Sequence, residues 1–381
     1  MAKHPIKPQL KSLFEERMKS LLEKDFENYL KILEKEPVRS LRCNTLKISV
    51  EDLKKRFKEK AWKSKQPFKD YPEIFIIEGK YISSRSQDNN TINSKKNFSD
   101  KLNNSSKNSS LNKSLAKKSD KVDFEANNRE QSEPNLQNLA PGEFGRSLEH
   151  QLGYYYIQEI ASMLPIIALE PKPEETILDL CSAPGSKTTQ AAAKMENTGT
   201  IIANEVSFGR LKILATNLQR CGVTNTIITK KDGIALCKKL KQKDIQIDKI
   251  LIDAPCSGEG TIRSSPKSCI RWNIKSIKNL SRLQKALVAS AIEILKPNGE
   301  LVYSTCTHAP EENEEVVDFI LKEFPNMKIE EIKLPIKCRS GITTWSETGW
   351  EGGEAIKQSC RIYPQDANTE GFFITKLKKI K

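Results

Sequence analysis

Histidine is scarce, with three in 381 residues. That leaves little material for histidine-based catalysis or a His-rich metal site, and no metal is expected. No CxxC pair occurs among the nine cysteines. A zinc ribbon is therefore not expected, and the odd count argues against a complete disulfide framework. Reduced thiols, and with them a cytoplasmic location, are expected instead. No apolar run approaches the roughly 18 residues that span a bilayer, so no membrane association is expected. The opening MAKHPIKPQLK lacks a continuous apolar stretch and is not expected to act as a signal peptide. Residues 86–138 are almost empty of apolar side chains and rich in Asn, Ser, Lys and Asp. Such a stretch buries too little surface to offset its ordering entropy, so it reads as a disordered insertion.

Basic residues are in excess, 63 against 49 acidic, for a formal net charge of +14. Lysine and arginine gain affinity for polyanions by releasing counterions from phosphates, which favours a nucleic-acid partner over a merely soluble basic surface. About 37% of residues are hydrophobic. That is enough for a sizeable core, and the length fits two domains.

Hydrophobic periodicity organises the chain. Residues 8–35 repeat apolar side chains at helical spacing, among them Leu13, Phe14, Met18, Leu21 and Leu22. VRSLRCNTLKIS alternates like a strand, ISVEDLKKRFKEKAW reads as a helix capped by Ser49 or Glu51, and EIFIIEGKYI reads as a further strand. Residues 1–85 therefore form a small α+β domain. From residue 139 to the end the pattern changes. ETILDLC, GTIIANEV, NTIITKKD, DKILIDAP and GELVYSTC are short apolar runs, each expected to be a buried strand. Helical stretches near 187–195, 207–221, 233–242 and 277–296 separate them, and GFFITKLKK closes the series. Alternating strands and helices imply an α/β fold with a mainly parallel sheet, whose ligands bind beyond the carboxyl ends of the strands.

The first such end carries Asp179-Leu-Cys181-Ser182-Ala183-Pro184-Gly185-Ser186-Lys187. Small residues allow close backbone approach to a ligand, and Gly185 permits an unusual turn. A phosphate-binding P-loop fails on spacing, because Ser186 separates Gly185 from Lys187 and Leu180 stands where a second Gly belongs. Glu205 follows the second strand, Asp232 the third and Asp253 the fourth. Each alone reads equally as a cap or turn residue. Together, at successive strand ends, they suit an adenosine without phosphate, such as S-adenosylmethionine. Two cysteines complete the pattern: Cys256 in DAPCSGEG after strand four and Cys306 in YSTCT after strand five. A lone Cys is usually a buried small hydrophobe. Two at adjacent strand ends suit covalent activation of a pyrimidine, in which a thiolate adds to carbon 6 and carbon 5 becomes nucleophilic. The residues alone do not choose between the two sulfurs.

Gly153-Tyr-Tyr-Tyr-Ile-Gln158, CSAPGSKT, DAPCSGEG and YSTCT followed by PEENE, with RCNTLK and the closing TEGFF, together resemble the Nop/Sun family of RNA 5-methylcytosine methyltransferases. The resemblance covers nearly all of residues 147–323. It implies a Rossmann-like methyltransferase with a mainly parallel seven-stranded sheet, using S-adenosylmethionine and preceded by the α+β domain. It places the cofactor loop at Cys181 through Lys187, the ribose acid at Glu205, the adenine contact at Asp232, and an acid facing cofactor and base at Asp253. Lys187 is expected to tune a thiol or orient the base. The nucleophile falls at Cys306, and Cys256 is expected to assist product release. Likeness to compact archaeal-type members makes tRNA the expected substrate and a monomer the expected state. Ribosomal RNA is the alternative substrate, and an inactive RNA-binding assembly factor the alternative of another class. Arg271, Trp272 and Gln284 match family positions, Trp272 as packing. Arg42 and Asn44 are expected either to pack or to reach the RNA or the crevice. Where many relatives carry a histidine after RxxP, this chain has Gln365 and Asp366, so no histidine-dependent role is expected there.

Overall fold

The computed structural model describes residues 10–82, 136–346 and 348–381. Most of the stretch read as a disordered insertion lies outside these. Its last three residues do not, and two of them form a strand.

The amino-terminal part begins with helices α1 (Ser12–Leu22) and α2 (Phe26–Leu33). Strand β1 (Ser40–Cys43) follows, then α3 (Val50–Glu59), β2 (Trp62–Lys65), β3 (Ile74–Tyr81), β4 (Leu136–Gln137) and β5 (Tyr155–Ile157). Ser49 caps α3 as expected, accepting from the Asp52 backbone N–H and so satisfying one of the unpaired first-turn donors. The strands run in the order β2-β3-β1-β5, with β4 on β3. The expected boundary at residue 139 is thus crossed, because Tyr155–Ile157 pairs with β1. The helices pack elsewhere: Phe14, Met18 and Tyr29 share a core with Trp272, Ile277 and Tyr363. Phe14 meets Trp272 edge to face at 5.5 Å. The chain start is therefore clamped onto the carboxyl-terminal half.

The larger part contains α4 (Ile160–Leu169), β6 (Thr176–Asp179), α5 (Ser186–Lys194), β7 (Thr200–Asn204), α6 (Phe208–Cys221), β8 (Thr226–Thr229), α7 (Gly233–Gln242) and β9 (Ile247–Asp253). Next come α8 (Ile274–Ile292), β10 (Leu295–Thr305), α9 (Glu314–Glu323), β11 (Met327–Glu330) and β12 (Arg339–Ser340). A hairpin of β13 (Thr344–Trp345) and β14 (Thr348–Gly349) leads to β15 (Cys360–Ile362) and β16 (Phe372–Lys379). The sheet order is β12-β15-β16-β10-β9-β6-β7-β8, with β11 on β16. It has nine strands where seven were expected. From β8 to β10 every pairing is parallel, whereas β16 meets β10, β11 and β15 antiparallel. The extra strands are short pieces from the non-repeating region after α9, where no alternation of apolar runs announces them. One strand is also less buried than expected: β8 is the outermost parallel strand, and Ile227 and Ile228 are exposed.

Helices cover both faces. Leu236, Leu287, Val288 and Val316 seal one face against Ile250 and Leu301, while Ala161, Leu164, Ala191 and Ala192 seal the other against Leu251 and Val302. Each fully buried Leu or Ile contributes roughly 1.5–3 kcal/mol before entropy is subtracted. The chain runs from β6 outward to β8, then returns to lay β9 on the other side of β6. Neighbouring connections diverge at that reversal and leave a crevice beyond the carboxyl ends of β6 and β9. Among the described residues no helix is long and apolar enough to cross a membrane.

One buried ion pair pins the antiparallel half. Arg361 donates to both carboxylate oxygens of Glu314 at 2.5 Å and to the His308 carbonyl at 3.0 Å. Arg361→Met leaves a fully buried carboxylate without its partner. The expected loss is about 3–5 kcal/mol of unfolding free energy in urea titration; a loss below about 1 kcal/mol would show that the pair is dispensable.

Candidate active site

The crevice at the reversal point is a cavity of about 830 Å³. Its wall includes Cys181, Ser182, Ala183, Pro184, Ser186 and Lys187 after β6, Asp253 at the end of β9, and Cys306 just after β10. The loop is shaped by Gly185, whose φ of +101° is left-handed, and a Cβ there would stand 3.0 Å from Leu214. Gly185 itself is not part of the wall. It starts α5, and its turn presents the neighbouring residues.

Lys187 is buried in the first turn of α5. Its Nζ meets Asp253 Oδ2 at 2.8 Å and donates to Ser162 Oγ at 2.9 Å, with the Phe372 ring 5.3 Å away. Asp253 Oδ1 accepts from Ser304 Oγ at 2.9 Å. An ammonium and a carboxylate are thus fixed beside one another in the cavity, in a setting of low dielectric where charges act strongly.

Cys256 and Cys306 come together, with their sulfur atoms 3.2 Å apart. Two interlocked loops hold them. The Gly260 N–H donates to the Cys306 carbonyl, and Ser257 Oγ is hydrogen-bonded to Thr307 Oγ1 at 2.7 Å. Glu312 accepts from the Ser257 N–H, and Gln284 donates both to Glu312 and to the Pro255 carbonyl. The Cys256 thiol is pushed well above the ordinary range, first by its hydrogen bond to Cys306 and then by burial. Either sulfur can donate in this contact. Cys306 lines the cavity, whereas Cys256 is outside the wall.

Two expected contacts are not part of the wall. Glu205 is buried at the end of β7, accepting from the Ser207 N–H at 2.8 Å and pairing with Arg210 at 3.1 Å. Arg210 does line the cavity, and it also donates to the Ala183 carbonyl. Asp232 caps α7 by accepting from the Ala235 N–H at 3.0 Å. Arg42 and Asn44 pack instead of reaching the crevice or the surface. Arg42 donates to Gln158 and Thr189, and Asn44 to the carbonyls of Gly153 and Cys221. Both are inside the joint between the two parts, where β1 meets α5 and the end of α6. Trp272 is buried and donates to Glu259 at 2.6 Å, as a packing residue would, whereas Arg271 is exposed. Gln365 and Asp366 are spent on Asp25 and Arg339.

Asp179 went unassigned by the sequence although it opens the loop. Its Oδ2 accepts from Thr188 at 2.7 Å, its Oδ1 has no partner, and the carboxyl lines the cavity. Burial pushes it up to about 7. An unsatisfied buried acceptor here fits a ligand that brings a cationic donor, as the amino-acid end of S-adenosylmethionine does. The small-residue loop fits the rest of such a ligand, so the donor set and the expected cofactor agree. Among the described residues no group of three His, Cys, Asp or Glu side chains could hold a metal ion. Arg263, Ser264, Glu370 and Phe372, also on the wall, were not assigned to the site by the sequence, although the last two stand in the closing TEGFF.

Comparison with known proteins agrees with this geometry. Residues 166–378 match the family described as 16S rRNA methyltransferase RsmB/F, and residues 10–88 match the N-terminal domain of 16S rRNA methyltransferase RsmF. The chain is similar to a tRNA (cytosine(49)-C(5))-methyltransferase of Pyrococcus abyssi, 45% identical over 236 residues, which is 62% of this chain and 74% of that protein. It is also similar to the ribosomal RNA small subunit methyltransferase F of Pectobacterium carotovorum, 41% identical over 238 residues, 62% of this chain and 46% of that protein. The match thus spans less than half of the ribosomal relative. Among solved structures, NSun6 from Pyrococcus horikoshii with SFG superposes with a TM-score of 0.70 at 26% identity, covering 99% of this chain and 100% of that one.

Proposed function

The chain belongs to the RsmB/F family of S-adenosylmethionine-dependent RNA methyltransferases, and from that premise we propose that it methylates carbon 5 of cytosine in tRNA through a covalent bond from Cys306. The observation that carries the reading is the pair of sulfurs 3.2 Å apart, one of them on the wall that also holds the Cys181–Lys187 loop.

The reaction follows from the groups present. Carbon 5 of cytosine is too weak a nucleophile to take a methyl group directly. The Cys306 sulfur adds to carbon 6, and Asp253 accepts from the polar edge of the base, holding the proton that N3 gains. Electron density then moves to carbon 5. When bound, S-adenosylmethionine would supply an electrophilic methyl group on sulfur, and Asp179, the loop from Cys181 to Lys187, Glu205 and Asp232 would hold it. Lys187 pairs with Asp253 and aims it. Solvent water then takes the carbon 5 proton and N3 gives up its own, so that the 5,6 double bond reforms and Cys306 leaves as a thiolate, with the Cys256 thiol beside it to take part in that release. The base must leave its stack to enter the cavity. Residues 36–40, at the entry to β1, line the same cavity, which supports an RNA-contacting role for the amino-terminal domain. A thiol nucleophile suits a reducing compartment, which supports a cytoplasmic location.

The tRNA reading is favoured by the relative named for tRNA, most of whose length this chain matches. Ribosomal RNA is the second reading, favoured by the match of residues 10–88 to the RsmF N-terminal domain. Incubation with methyl-labelled S-adenosylmethionine and separated RNA fractions is expected to label tRNA, with 5-methylcytosine on nuclease digestion. Label confined to ribosomal RNA would support the second reading. Tight RNA binding without label in any fraction would favour an assembly factor.

A further inference from the structure

Glu370 immediately precedes the glycine and strand that close the chain, and its side chain is 5% exposed. It lines the cavity with Glu36, Arg39, Thr261, Arg263 and Ser264, on segments that do not belong to the cofactor loop. Its backbone is locked to the Cys306 loop. The Gly260 N–H donates to the Cys306 carbonyl at 2.9 Å, and the Gly371 N–H donates to the Gly260 carbonyl at 2.8 Å. The contact is too close for side chains: a Cβ on Gly260 would lie 2.2 Å from the Gly371 carbonyl oxygen. Glu370 is therefore held two backbone hydrogen bonds from the sulfur that attacks the base.

Its two carboxylate oxygens differ. Oε1 accepts from the Ser264 N–H at 3.0 Å, whereas Oε2 is buried with no hydrogen-bond partner among the described residues. Arg263 stands nearby, but its donors go to the carbonyls of Thr369, Glu36 and Lys35 and to Asn368. A buried acceptor left unpaired in a residue of the cavity wall fits a ligand that supplies a donor. Asp253, the other acid facing the base, already receives Lys187 and Ser304.

Cytosine and uracil differ at position 4, where one carries an amino donor and the other a carbonyl acceptor. A site built to satisfy its own polar group with a substrate N–H rejects an analogue that lacks it, because the site's group is then left unpaired. We propose that Glu370 is a specificity-determining residue whose Oε2 accepts a hydrogen bond from the 4-amino group of the target cytosine and so excludes uridine. This rests on the RNA cytosine reading above. Burial first, and then the neighbouring Glu159 carboxylate, push the Glu370 carboxyl up to about 7, and a donor from the base favours its charged, accepting form.

Glu370→Gln tests this cleanly, since the amide oxygen can still accept from Ser264 while the other position changes from acceptor to donor. The substrates are RNA transcripts with a single 5-fluorocytidine or 5-fluorouridine at the mapped target. Fluorine at carbon 5 cannot leave as the proton does, so the covalent adduct persists and is counted on a denaturing gel. In Glu370→Gln the rate of adduct formation with 5-fluorocytidine, relative to 5-fluorouridine, is expected to fall about 100-fold, with unchanged affinity for S-adenosylmethionine by titration calorimetry. An unchanged ratio, or equal loss with both bases, would overturn the inference alone. No adduct with the unsubstituted protein would instead overturn the proposed function, and this inference with it.

Discussion

Cys306→Ala is expected to lower methyl transfer on the order of 10⁴-fold and to abolish the covalent RNA adduct, whereas Cys256→Ala should accumulate that adduct. The two thiols are neighbours 3.2 Å apart, so the asymmetry comes from their surroundings. Cys306 lines the cavity, whereas Cys256 is half-buried outside the wall with its thiol pushed well above the ordinary range. Removing the sulfur that bonds to carbon 6 removes the only route to a nucleophilic carbon 5. Removing the other leaves the addition intact and slows the release, so enzyme and RNA migrate together on a denaturing gel. Both variants should fold, because each substitution is small and neither thiol carries a structural bond beyond the pair. A trapped adduct in Cys306→Ala would exchange the two roles.

Lys187→Met and Asp253→Asn are each expected to lower turnover by about 10²–10³-fold, and the double variant to be little worse than either alone. The salt bridge at 2.8 Å joins a buried ammonium to a carboxylate at the cavity wall. Without Lys187, Asp253 loses its ion-pair partner and the hydrogen bond that aims it. Without the Asp253 charge, Lys187 remains as an unpaired buried cation, and the adduct loses the group that stabilises its protonated ring. Residues acting as one unit show strongly non-additive losses. Lys187→Arg is not expected to rescue activity, because the longer planar guanidinium does not fit the position between Asp253 and Ser162. Steady-state methylation rates for the four proteins of the double-mutant cycle decide the matter. Losses that multiply would mean that the two residues act independently.

Much of this site was legible from strand ends. In a parallel sheet the apolar runs identify the strands, and ligand groups must follow their carboxyl ends. Lys187, Asp253, Cys256 and Cys306 were therefore placed at strand ends by spacing before any coordinates, whereas Asp179 was read only as the opening of the loop. The pairing of the sulfurs follows from β9 and β10 being neighbours in register, with Asp253 opposite Ser304. Other features were not legible. Arg42 looked available for RNA because charged residues are usually exposed; its burial depends on Gln158 and Thr189, far away in sequence. Tyr155–Ile157 joins the amino-terminal sheet through a pairing that no local pattern encodes. Glu205 and Asp232 stand at strand ends as expected, but Arg210 and the first turn of α7 engage their carboxylates. Glu370 lies in a short irregular segment, and only the contact of Gly260 with Gly371 brings it to the cavity.

The central claim is a transient bond between one sulfur and a pyrimidine ring. The direct measurement is mass spectrometry of the protease-digested adduct formed with RNA carrying 5-fluorocytidine at the mapped position. The modified nucleotide should be found on the peptide containing Cys306. Attachment to Cys256, or methylation of RNA without any attachment to a cysteine, would contradict the account.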